Sequence, residues 1–75
     1  MNIIKITGDK FYLVYRGFTI IVERIAIRNG KWWKYHIDEM RSTEFDDIRS
    51  KTRCFEKGVA YVDLYYQHQE YVKNG

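Results

Sequence analysis

Apolar and polar residues alternate through the first half of the chain. Ile4 and Ile6, Phe11, Leu13 and Tyr15, then Phe18, Ile20 and Val22 recur at every second position within their runs. That is the period of a strand with one buried face. Three dipeptides interrupt the runs: Gly8-Asp9, Arg16-Gly17 and Asn29-Gly30. Glycine suits the first position of a type II′ hairpin, and Asn-Gly tolerates the positive φ of a type I′ hairpin. The spacing predicts four strands, at residues 2–7, 10–16, 18–28 and 31–39.

Two-residue turns dictate register, and partners across a strand pair share a face. The first turn would set Ile6 opposite Phe11 and Ile4 opposite Leu13. The second would set Tyr15 opposite Phe18, Leu13 opposite Ile20 and Phe11 opposite Val22. The third would set Ala26 opposite Trp33, Arg24 opposite Tyr35 and Val22 opposite Ile37. All these residues fall on one face, with Arg24 its one charged member. The other face is mixed: Lys5, Lys10, Tyr12, Val14, Thr19, Ile21, Glu23, Ile25, Ile27, Trp32, Lys34, His36 and Asp38.

The second half reads as helical. Thr43-Glu44-Phe45-Asp46 is a loose capping box, which suggests a short helix near 43–50. Yet Ile48, Ser50, Thr52 and Cys54 alternate with Arg49, Lys51 and Arg53, and an irregular or extended piece is expected there. A long helix is expected from about Phe55 or Gly58 to Lys73. Tyr61, Leu64, Tyr65, His68 and Val72 would form its buried stripe, with Asp63, Gln67 and Glu70 in water. The predicted fold is α+β: a four-stranded antiparallel meander, order 1-2-3-4, with a C-terminal helix packed on one face. The whole chain, 1–75, reads as a single small domain.

Composition narrows the function. Apolar residues make up 45% of the 75 and charged residues 31%, a globular balance. No apolar run approaches the length of a membrane span, and no membrane association is expected. One cysteine, Cys54, excludes an internal disulfide and suits a cytoplasmic location. Catalysis and metal binding both lack the residues they need. His36, His68 and Cys54 are far apart in sequence and show no ligand spacing. His68 reads as a packed histidine, and His36 as a partner of Glu23. No histidine is placed beside Cys54 to activate it, and no glycine-rich phosphate loop exists. The expectation is a non-enzyme with no cofactor and no metal.

Binding surfaces remain. Trp32, Tyr12, Ile27, Ile25, Lys34 and His36 share the outer sheet face, and a cluster of exposed apolar side chains marks an interaction site. The charge is uneven as well. Residues 1–36 carry seven Lys/Arg and two Asp/Glu, whereas residues 37–75 carry six and eight. Phosphate contacts could come from Lys5, Lys10, Arg16, Arg28 and Lys31, and from a second set, Arg49, Lys51 and Arg53.

Tyr15-Arg16-Gly17-Phe18, Gly30-Lys31-Trp32, Ile37-Asp38, Phe55 and Ala60-Tyr61-Val62-Asp63 resemble the strand-and-helix rhythm of plant ethylene-response-type DNA-binding domains. The order is also similar to integrase arm-binding domains, which back a sheet with one helix. The resemblance covers about half the chain and lacks the run of base-reading arginines on the sheet. It implies a DNA-facing sheet. In size and composition the chain also resembles accessory proteins of phages and mobile elements. The sequence favours a module docking on a protein, as a regulator or inhibitor of a host complex. DNA or RNA binding through the basic, aromatic sheet face is the alternative, and a structural homodimer the second.

Overall fold

The computed structural model describes residues 2–26, 29–40 and 42–74, of which 42–47 and 71–74 by backbone alone. Five strands form one antiparallel sheet in sequence order: β1 Ile4–Thr7, β2 Lys10–Tyr15, β3 Phe18–Arg24, β4 Trp33–Ile37 and β5 Ser42–Ile48. A short 3-10 turn, Asp38–Met40, joins the last two. One helix, α1 Lys51–Asn74, packs against β3 and β4. The four expected strands and the helix are therefore present in the expected order, with a fifth strand added at the edge.

The core forms where β2, β3 and β4 meet the helix. Leu13, Ile20, Val22, Tyr35 and Ile37 line the sheet, and Cys54, Phe55 and Val62 close it from above. The β2–β3 register is the predicted one, with Tyr15 opposite Phe18 and Leu13 opposite Ile20. Its turn carries positive φ at both central residues, 51° at Arg16 and 85° at Gly17. That is the type I′ pattern, whose twist matches the flanking strands.

The other two hairpins differ from expectation. β3 ends at Arg24, and Val22 lies opposite Tyr35 rather than Ile37. The Ile25 amide donates to the Trp32 carbonyl at 2.8 Å, so the connection is longer than two residues. The slip is two residues, an even number, and every side chain keeps its face. Ile27 and Arg28 lie outside the described residues. In the first hairpin Ile4 lies opposite Tyr12 and Lys5 opposite Phe11, with a bulge before Thr7. This slip is one residue, and it reverses the strand. Ile4 and Ile6 leave the core and are exposed, while Lys5 comes to the helix side. The Gly8 backbone is not left-handed, so the turn is not type II′. Instead the Asp9 amide donates to Thr7 Oγ1 at 3.1 Å, a side-chain turn.

Residues 42–48 are a strand, not the expected helix. The free edge of β4 supplies ladder partners, and pairing Trp33 with Ile48 and Ile37 with Ser42 overrides the loose capping box. The cap sits later. Arg53 donates its amide to Ser50 Oγ at 3.3 Å, and the helix begins at Lys51, where an extended piece was expected.

The helix is also rotated about its axis. Phe55, Gly58 and Val62 face the sheet, with Val59 and Tyr66 beside them, whereas Tyr61, Leu64, Tyr65 and His68 are exposed. Of Val72 only the backbone is described. Gly58 explains the rotation. A Cβ there would lie 2.6 Å from Ile20 Cγ2, so only glycine lets the helix approach β3 this closely. Asp63, expected in water, instead holds the β2–β3 turn. It accepts hydrogen bonds from Tyr15 Oη at 2.8 Å and Arg16 Nη1 at 3.0 Å. Tyr66 Oη donates to the Arg16 carbonyl at 2.7 Å, and the guanidinium stacks 4.2 Å from the Tyr66 ring centroid.

Gly58→Ala gains about 1 kcal/mol of helix propensity but forces Ile20 aside, a strain of about 1–3 kcal/mol. The variant should therefore be less stable in urea, and a higher midpoint would contradict the close-approach account. Acid should also loosen the fold. The bond from Tyr15 and the Arg16 pair hold Asp63 below its ordinary 3.8. The Thr19 backbone amide, with its hydroxyl, holds Glu39 below 4.5. Depressed carboxylates stabilise the fold above their unfolded values, and that contribution disappears as pH falls through the folded ones. Melting temperature should therefore drop below about pH 4, the unfolded range of these carboxyls, and Asp63→Asn should flatten the drop. An unchanged acid profile in that variant would remove Asp63 from the explanation.

Candidate functional site

The helix covers one face of the sheet, and no described segment covers the other. Alternation along each strand decides what the open face carries. β2 contributes Lys10, Tyr12 and Val14, β3 Thr19, Ile21 and Glu23, and β4 Lys34 and His36. One row runs across the strands as Ile4, Tyr12, Ile21, His36 and Thr43. A second row runs Lys10, Glu23, Lys34, which sets the acid between two cations. Ile25 and Trp32 follow at the far end, joined by their backbone hydrogen bond. The apolar members are most open toward β1 and β2, with Val14 59% and Ile4 46% exposed. Tyr12, Ile21, Ile25 and Trp32 are half-buried.

Five of the six sequence-predicted binding residues meet here: Tyr12, Ile25, Trp32, Lys34 and His36. The sixth, Ile27, is among the residues not described. Trp32 pairs with Ile25 rather than with Ile27, because the hairpin register is shifted by two residues. It lies at the end of the patch rather than its centre. Its indole passes near Gly30, and the Arg49 guanidinium sits 4.6 Å from its ring centroid. Val14 and Ile4 join the patch and were not singled out as site residues. Strand alternation already put Val14 and Ile21 on this face. Ile4 joins them only through the β1 bulge, for which the sequence carries no clear sign.

The cations chosen as phosphate contacts do not converge. Lys10 is on the open face, but Lys5 is on the opposite side of the sheet edge. Arg16 holds Asp63 and Tyr66. Arg49 stacks on Trp32, and Lys51 lies 3.7 Å from the Phe11 ring centroid on the helix side. Arg53 is exposed in the first helical turn and Lys31 in the β3–β4 connection. Arg28 is among the residues not described. Arg24, the expected intruder in the apolar face, is paired with Asp9 at 3.1 Å.

Among the described residues no three His, Cys, Asp or Glu side chains gather as metal ligands, and no helix is long and apolar enough to cross a membrane. Cys54, in the first turn of α1, is in no disulfide and is fully buried against the sheet. No protein-family model, curated protein or solved structure matches the chain.

The adjacent tryptophans separate core from surface. Trp33 is buried and tilts against Phe11, with ring centroids 6.0 Å apart. Trp33→Ala should cost about 3–5 kcal/mol in chemical denaturation, as core aromatic truncations do. Trp32→Ala gives up the stacking of one cation on a half-buried ring, about 0.5–1 kcal/mol. Equal losses from the two would make the open face a second core.

Proposed function

We propose that the protein is a non-enzymatic binding module that docks on another protein through the open face of its sheet. The observation that carries this reading is the apolar row Ile4–Tyr12–Ile21, flanked by Val14, on a face that no described segment covers. Such clusters mark contact sites, and aromatic anchors within them contribute much of the binding energy. The charge around the row has both signs, with Glu23 between Lys10 and Lys34. A polar rim of mixed sign around an apolar centre is the anatomy of a protein interface.

A regulator or inhibitor of a larger complex is the concrete form of this role, in the reducing cytoplasm that a single buried thiol suits. Nucleic-acid binding has weaker support. Arg16, Arg24, Arg49 and Lys51 are engaged with carboxylates or rings, and Lys5 and Lys10 lie on opposite sides of the sheet. A duplex would need them on one side, because phosphate contacts carry its affinity.

Placing a photo-crosslinking residue at position 14 of the full chain tests the reading. The captured partner would be identified, purified and titrated against the native protein. Val14→Glu should leave the melting temperature nearly unchanged and cost about 2 kcal/mol or more of affinity, the scale of an interface anchor. Undiminished affinity in that variant would remove the open face as the site. Capture abolished by nuclease would assign it to nucleic acid.

A further inference from the structure

Apolar exposure gathers at the β1 edge of the sheet. Among the described residues seven large apolar side chains are exposed, and three of them, Ile3, Ile4 and Ile6, lie within four positions of one another. A fourth, Val14, is on the neighbouring strand. All four residues of β1 are exposed. β1 pairs on one side only, with β2, so its other side presents main-chain donors and acceptors that no described strand takes up. Helix α1 packs on β3 and β4 and leaves this edge accessible.

The two edges of the sheet differ in chemistry. β5 carries Glu44, Asp46 and Asp47 in seven residues and no base. Charge of that kind guards an edge against a further strand. From Asn2 to Thr7 the β1 edge carries one charge, Lys5, among three isoleucines. Its limit is length, because the bulge before Thr7 leaves residues 2–6 to pair.

We infer that β1 pairs antiparallel with β1 of a second copy of the chain, about a twofold axis through Ile4, to give one ten-stranded sheet. Paired residues share a face, so the axis must pass through a residue and not between two. At Lys5 it would set lysine opposite lysine, which is destabilising. At Ile4 it sets isoleucine on isoleucine, and Lys5 of each copy opposite Ile3 of the other. Closure selects the second copy. Pairing β1 with β1 uses both isoleucine edges and leaves only the two β5 edges, whose like charges oppose further growth. Pairing β1 with β5 of another copy would leave one isoleucine edge free at every step and grow head to tail. The helices do not obstruct the pairing. The β3 strands of the two copies lie five strand spacings apart, ~24 Å, about twice the width of a helix. This contact lies at the sheet edge and is independent of the docking role of the open face.

Sedimentation equilibrium of the full chain over a wide concentration range tests it. The mass should approach twice 9.2 kDa and stop there. Ile3→Lys, verified as folded by its melting temperature, sets two lysine pairs across the axis and should weaken the dimer about tenfold or more. Ile4→Lys, which sets lysine on lysine at the axis itself, should do the same. Adding Lys5→Glu to Ile3→Lys turns the two like pairs into opposite-charge pairs and should restore the dimer. A monomer at every concentration, an unchanged dimer in Ile3→Lys, or no rescue by Lys5→Glu would each overturn the inference. Masses that keep rising past the dimer would overturn it in favour of head-to-tail growth. A dimer lost in Val14→Glu and kept in Ile3→Lys would overturn it by placing the second copy on the open face.

Discussion

Helix α1 lies on β3 only because position 58 has no Cβ. The methyl of any larger residue would meet Ile20 at 2.6 Å, well inside van der Waals contact. This contact selects which side of the helix faces down. With Gly58 against Ile20, Phe55 and Val62 enter the core one turn to either side, and Tyr66 reaches the β2–β3 turn. Asp63 then stands over Tyr15 and Arg16, where it fastens the turn to the helix. That pin accompanies a non-glycine residue at φ 51°, a conformation that L side chains rarely adopt. The hairpin, the helix rotation and the covering of one sheet face thus depend on a single close approach.

Hydrophobic pattern alone pointed to a different rotation. Tyr61, Leu64, Tyr65 and His68 recur at helical spacing and look like a buried stripe, yet they face solvent. Steric fit decided the matter. Large tyrosines would hold the helix away from the Ile20–Val22 floor, whereas Gly58 and Val62 let it settle. Tyr65 still contributes at the margin, packing edge-on to Phe18 with centroids 5.3 Å apart. A glycine in mid-helix is the one sign of this in the sequence, since it costs helix stability unless close packing repays it.

Strand faces were legible where errors of register were even. The β3–β4 hairpin slipped by two residues, and the core face survived with Val22, Tyr35 and Ile37 inside. At β1 the bulge shifted the pairing by one, which moved Ile4 outward and Lys5 to the helix side. The same arithmetic explains the candidate site. Tyr12, Lys34 and His36 were placed correctly because their strands kept parity, while Ile4 was missed because its strand did not. The fifth strand was hidden for another reason. Residues 42–48 mix acids with apolar residues without clean alternation, and only the free edge of β4 makes them extended.

The two faces of the sheet differ in how their charges are held. On the helix side Arg16, Arg24 and Lys51 each have a local carboxylate or ring. A cation paired in this way offers less to an outside ligand, because a new contact must replace an existing one. On the open side Glu23 stands in register between Lys10 and Lys34. A half-buried carboxylate between two cations remains compensated when water is excluded, whereas an isolated one would resist burial. The row can therefore pass beneath a docked partner without stranding Glu23. That arrangement lets the apolar residues around the row be covered without a charge buried alone among them.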